Sequence, residues 1–126
     1  MLQEELIKFW FTSAQEDWKT AQSLMKSERY MHALFFCHLT LEKILKGFIS
    51  KLGKENKITH DLLLLAQETE IELSEEQAHF LFEVNEFNIR TRYDDYKLSF
   101  YKKATKEYAE DYFKKISQFK LWLEQK

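Results

Sequence analysis

The chain has no proline and only two glycines, Gly47 and Gly53, among its 126 residues. Strand-rich folds reverse direction often, and they draw on Gly, Pro, Asn and Asp to do it. So few chain-reversing residues call for a small number of long elements, and those must be helices. Hydrophobic spacing agrees. Leu6, Trp10, Ala14, Trp18, Ala21 and Met25 recur at helical intervals, which predicts a first helix over about Gln3 to Lys26. A second is expected from about Glu28 to Leu52, with Ala33, Phe36, Cys37, Leu41, Ile44, Leu45, Phe48 and Leu52 on one broad stripe. Leu34 and Phe35 add apolar surface outside that stripe, which makes this helix the central one. Gly47 inside it costs about 1 kcal/mol against alanine, and a close helix–helix approach accounts for its presence. Gly53 is placed to end the helix in the left-handed conformation.

Lys54 to Thr59 reads as a polar loop, followed by a short helix from Leu62 to about Gln67. Asp61 caps that helix and His60 packs at its start. Ser74 and Gln77 have capping-box spacing and open a fourth helix, expected to reach about Tyr93. Asp94 to Ser99 reads as a turn, and the last helix as about Phe100 to Glu124. The expected architecture is all-α: one domain over residues 1–126, an antiparallel up-and-down bundle of four long helices plus one short helix.

The formal net charge of −2 gives no global attraction to nucleic acid or anionic membrane. Its distribution is uneven. Asp61 to Glu86 holds eight acidic residues and no Lys or Arg; Arg90 to Lys106 holds six basic residues and two acidic ones. The single cysteine, Cys37, excludes an internal disulfide and sits on an apolar stripe, where an inert buried thiol is expected. No apolar run is longer than Leu62 to Ala66, far short of a membrane span, and the first residues lack a signal-peptide pattern. A soluble, cytoplasmic protein is the expectation.

Two of the three arginines, Arg90 and Arg92, fall within the segment Asn88 to Lys97, together with Tyr93 and Tyr96. Guanidinium is planar, always charged and rich in donors, which suits phosphate; tyrosine offers a stacking face and a hydroxyl. Asn88, Arg90, Arg92, Tyr93, Tyr96 and Lys97 are therefore the candidate nucleotide- or RNA-binding residues. The structural alternative is that the arginines stabilise a helix C-terminus. On a continuous helix Arg90 and Arg92 diverge by roughly 200°, so they share a ligand only where the helix unwinds or across a dimer. No histidine pair has the i, i+4 spacing of a helix-borne metal site, and no glycine-rich phosphate loop is present. No metal or cofactor is expected. Glu42, Lys43 and Lys46 read as the solvated edge of the second helix.

Several of these pieces, in this order, resemble the HEPN domain family. Asp17-Trp18-Lys19-Thr20-Ala21 resembles its first-helix pattern, and Tyr30 through Lys46, with Glu42-Lys43-Ile44-Leu45-Lys46 at its end, resembles its second. His60-Asp61-Leu62 is similar to the His-x-Leu opening its third helix. Arg92-Tyr93-Asp94 is similar to an Arg-Tyr-Pro-Asp stretch after its fourth, and Trp122-Leu123 to the close of its last. The resemblance implies a five-helix bundle, often a homodimer, commonly paired with a minimal nucleotidyltransferase in toxin–antitoxin systems. Members are metal-independent ribonucleases or nucleotide binders. The nuclease motif is Arg, four to six residues, then His. Here no histidine follows His79, and Tyr96 stands where the histidine would fall counted from Arg90, so the resemblance implies Arg90, Arg92 and Tyr96 as the candidates for catalysis. Tyrosine, with an ordinary pKa of about 10, is a poor base at neutral pH, so strong cleavage is not expected. The readings are a phosphate-binding bundle acting with a nucleotidyltransferase, a ribonuclease toxin, and a purely structural partner subunit. Trp10, Trp18, Phe35, Phe87 and Trp122 supply more large apolar groups than a small core is expected to need, which points to a dimer interface.

Overall fold

A computed structural model describes residues 2–88 and 94–126, apart from the side chains of residues 94–96. Among them every regular element is helical: α1 Gln3–Lys26, α2 Tyr30–Lys51, α3 Leu62–Glu68, α4 Glu75–Val84, a 3₁₀ turn Asn85–Phe87, α5 Asp94–Lys103 and α6 Lys106–Glu124. None of the helices is long and apolar enough to cross a membrane.

α1 and α2 form the organising hairpin. Ala14 and Ala21, the small members of the α1 stripe, are fully buried and let α2 come close. Gly47 answers them from α2: a Cβ there would stand 2.7 Å from the Phe11 ring. Gln3 Nε2 donates to the Ser50 carbonyl at 2.9 Å, and Lys43 Nζ reaches both Ser13 Oγ and Asp17 Oδ2 at 2.7 Å. These contacts pair the start of α1 with the end of α2, so the two run antiparallel. α2 is the central helix, as its apolar excess predicts, and packs against α1, α3, the 3₁₀ turn and α6.

The helix ends show which local chemistry was readable. Gly53 has φ +75 and closes α2, with Gly53 N–H donating to Ser50 O and Lys54 N–H to Ile49 O. The same geometry closes α1, but Glu28 takes the left-handed position at φ 62, so α2 starts at Tyr30 rather than at Glu28. Asp61 caps α3 by accepting from Leu63 N–H at 2.9 Å, and the Ser74–Gln77 capping box forms in both directions.

Three expectations fail. The fourth helix ends at Val84 and tightens into the 3₁₀ turn, with Asn85 at the junction. Its Oδ1 accepts from Leu62 N–H and its Nδ2 donates to Asp61 Oδ1, both at 3.0 Å, tying α4 to the start of α3. The expected Asp94–Ser99 turn is the first part of α5, and the last helix is broken at Thr105, whose hydroxyl accepts from Tyr108 N–H and starts α6. The break lets Phe100 lie flat against Phe87 while Tyr108 meets both rings edge-on. Four long helices plus one short one therefore become three long and three short ones among the described residues.

The large aromatic groups are also accounted for differently. Phe87 and Phe35 are buried, Trp18 stacks on Phe113 at 4.8 Å, and Trp10 and Trp122 are half-buried. The exposed apolar side chains include Phe9, Ile58, Leu64, Phe82, Leu98 and Leu121 instead.

Candidate functional site

Glu42, Lys43 and Lys46 are not a solvated edge. Glu42 is only 4% exposed, because α2 is covered on almost every side. Burying a carboxylate costs several kcal/mol unless it is paired, and Glu42 is paired twice. Oε2 accepts from Lys46 Nζ at 3.0 Å and Oε1 from His60 Nδ1 at 3.0 Å. Lys46 Nζ also lies 5.3 Å from the Trp10 ring centre, which fixes its stem between α1 and α2. A carboxylate can only accept, so His60 carries its proton on Nδ1 in this bond.

His38, one turn before Glu42, is completely buried. Burial pushes its pKa down to about 4, with the Glu42 charge opposing that shift, so it is neutral at pH 7. Its Nε2 donates to the His60 carbonyl at 3.0 Å, and its unprotonated Nδ1 stands 3.8 Å from Glu42 Oε1. His60 is thus fixed by α2 twice, through its ring by Glu42 and through its backbone by His38. Next to it, Asp61 and Asn85 bind one another. Cys37, on the same helix, is buried, and burial drives its thiol well above the ordinary range, leaving it an inert core group.

A cavity of about 420 Å³ opens over this network, lined by Thr59, His60, Asp61, Asn85 and Asn88. Of the residues singled out in the sequence, Asn88 is buried in its wall and Lys97 is half-buried on α5. Arg90, Arg92 and Tyr93 lie outside the described residues, and Tyr96 belongs to α5 with its side chain undescribed. The structure therefore joins Asn88 to a pair that the sequence reading treated separately, His60 and Glu42. A signal for Glu42 existed. His38, Glu42 and Lys46 are spaced at i, i+4 within a helix that is apolar on almost all sides, where a charged row must be buried and paired. Glu76 and His79 have Glu-x-x-His spacing on α4, but among the described residues no three His, Cys, Asp or Glu side chains are placed to hold a metal ion.

A small all-α domain, with a buried ionic network beneath a polar cavity, is the class these features define. The chain belongs to the HEPN domain family, whose model matches residues 7–126. No curated protein and no solved structure matches it significantly.

Proposed function

We propose that this HEPN domain binds the phosphate of a nucleotide or of RNA through the segment Asn88 to Lys97. Arg90 and Arg92 are the anion-binding groups in this reading, with Tyr93 and Tyr96 stacking or donating and Lys97 adding charge. The domain acts as a homodimer alongside a minimal nucleotidyltransferase, in a toxin–antitoxin-like or regulatory pair. The observation that supports this most is Asn88. It is buried in the wall of a polar cavity and leads the chain directly into the arginine-containing segment. The basic bias of residues 90–106 supplies the matching field.

The test is fluorescence anisotropy with short labelled RNA and with ATP, at low and moderate salt. Affinity falls as salt rises, because ion pairs to phosphate are screened and release counterions. Arg90→Ala/Arg92→Ala weakens binding of both probes. Equal affinity in the double variant refutes the assignment and returns the arginines to a structural role. Sedimentation at micromolar concentration tests the dimer, and a monomer alone counts against it.

A further inference from the structure

We propose that His60, aligned by buried Glu42, is an acid–base group for RNA bound at the adjoining cavity and takes the role of the histidine missing after Arg92. The inference rests on the phosphate-binding reading above and adds chemistry to it. It stands on geometry. The Nδ1 proton of His60 is committed to Glu42 Oε1 at 3.0 Å, so in the neutral ring the remaining nitrogen, Nε2, carries a free lone pair. No described residue bonds to Nε2. The side chain is 43% exposed and lines the cavity, whereas its partner carboxylate is 5% exposed and closed off behind it. A base whose far nitrogen is held by a carboxylate, in turn anchored by a cation, is an arrangement suited to proton transfer. Lys46 supplies the cation, His38 holds the backbone carbonyl of His60, and turning the imidazole would break its bond to Glu42. A cap alone needs none of this, since Asp61 already caps α3.

The reaction that fits is transesterification of RNA. Nε2 takes the proton of a ribose 2′-hydroxyl as the 2′-oxygen forms a bond to the adjacent phosphorus. The bond from phosphorus to the 5′-oxygen of the next nucleotide breaks, and that oxygen takes a proton from water. The imidazolium returns its proton to the hydroxide so formed. The products are a 2′,3′-cyclic phosphate and a free 5′-hydroxyl, with no oxidant, metal or second substrate consumed.

The experiment incubates wild-type protein with a short RNA and with the same RNA carrying one 2′-deoxy residue, across a pH series without divalent ions. Expected is slow cleavage to cyclic-phosphate ends that fails at the deoxy position. His60→Ala lowers the rate by about 100-fold, the lower end for a lost general base, and retains RNA binding by anisotropy. Glu42→Gln, which keeps the shape of the side chain but not its charge, lowers kcat and leaves KM unchanged, and Glu42→Asp, which keeps an acceptor-only anion, restores part of the rate. A purely structural role for Glu42 would give Glu42→Asp no advantage over Glu42→Gln. Circular dichroism confirms that each variant folds, and His60→Asn replaces His60→Ala if the latter does not. Wild-type protein that binds RNA in an arginine-dependent way yet cuts at no pH leaves the binding reading intact and overturns this one. So does cleavage that His60 substitutions leave unchanged. Cleavage that depends on His60 while the arginine double variant binds as tightly as wild type supports the acid–base pair and refutes the arginine assignment.

Discussion

His38 makes the fold sensitive to mild acid. In the unfolded chain its imidazole titrates near the ordinary 6.5; in the fold, burial between α2 and the start of α3 lowers that to about 4. Between these values the unfolded state binds a proton that the folded state refuses, so stability is complete above pH 6.5 and is lost as pH falls towards 4. One pH unit is worth about 1.4 kcal/mol, so the full loss is about 3 kcal/mol, of which about 2 kcal/mol is gone by about pH 5. The groups facing His38 are Glu42 and His60 together with the Asn85 amide, and the Glu42 charge moderates the loss by favouring the imidazolium. The assay is urea unfolding followed by helical circular dichroism at neutral pH and at about pH 5. His38→Gln, which retains a donor for the His60 carbonyl and does not titrate, should flatten the difference. Equal urea midpoints at the two pH values in wild type, or an unchanged pH dependence in His38→Gln, would refute the reasoning.

Glu42→Ala strands the Lys46 ammonium and the His60 N–H; removing one partner of a buried ion pair costs about 3 kcal/mol, and a urea midpoint within error of wild type would contradict this. Glu28→Gly relieves a left-handed glutamate at the end of α1 and should stabilise by about 1 kcal/mol, read as a raised melting temperature, whereas a lowered one would contradict the reading. Phe87→Ala empties the centre of the Phe87–Phe100–Tyr108–Tyr112 cluster and should cost about 3–5 kcal/mol in chemical denaturation.

Periodicity carried most of the fold. α1 is where the stripe puts it, α2 is central because its apolar surface exceeds one face, and the caps at Asp61, Ser74 and Gly53 form as their residue types suggest. What was not legible depended on side chains competing with the helix. Asn85 ties the end of α4 to the start of α3, and Thr105 breaks a continuous helical pattern by capping a new start. Neither residue type requires such a role, so their spacing gave no warning. Glu28 and Glu70 take left-handed positions that would be expected of glycine, and were invisible for that reason. Asn88, singled out in the sequence for its place beside the arginines, is buried in the cavity wall. The pairing of His60 with Glu42 joins residues 18 positions apart and exists only once α3 packs on α2.

The most direct test of the central claim is amide chemical-shift mapping by NMR as a short RNA is added to isotope-labelled protein. The account predicts the largest shifts at Thr59 to Asp61 and at Asn85 to Asn88, the residues around the cavity, with the imidazole resonances of His60 moving in step. Shifts concentrated on the separate groove between α4 and α6, around Phe80, Lys115 and Trp122, would contradict it.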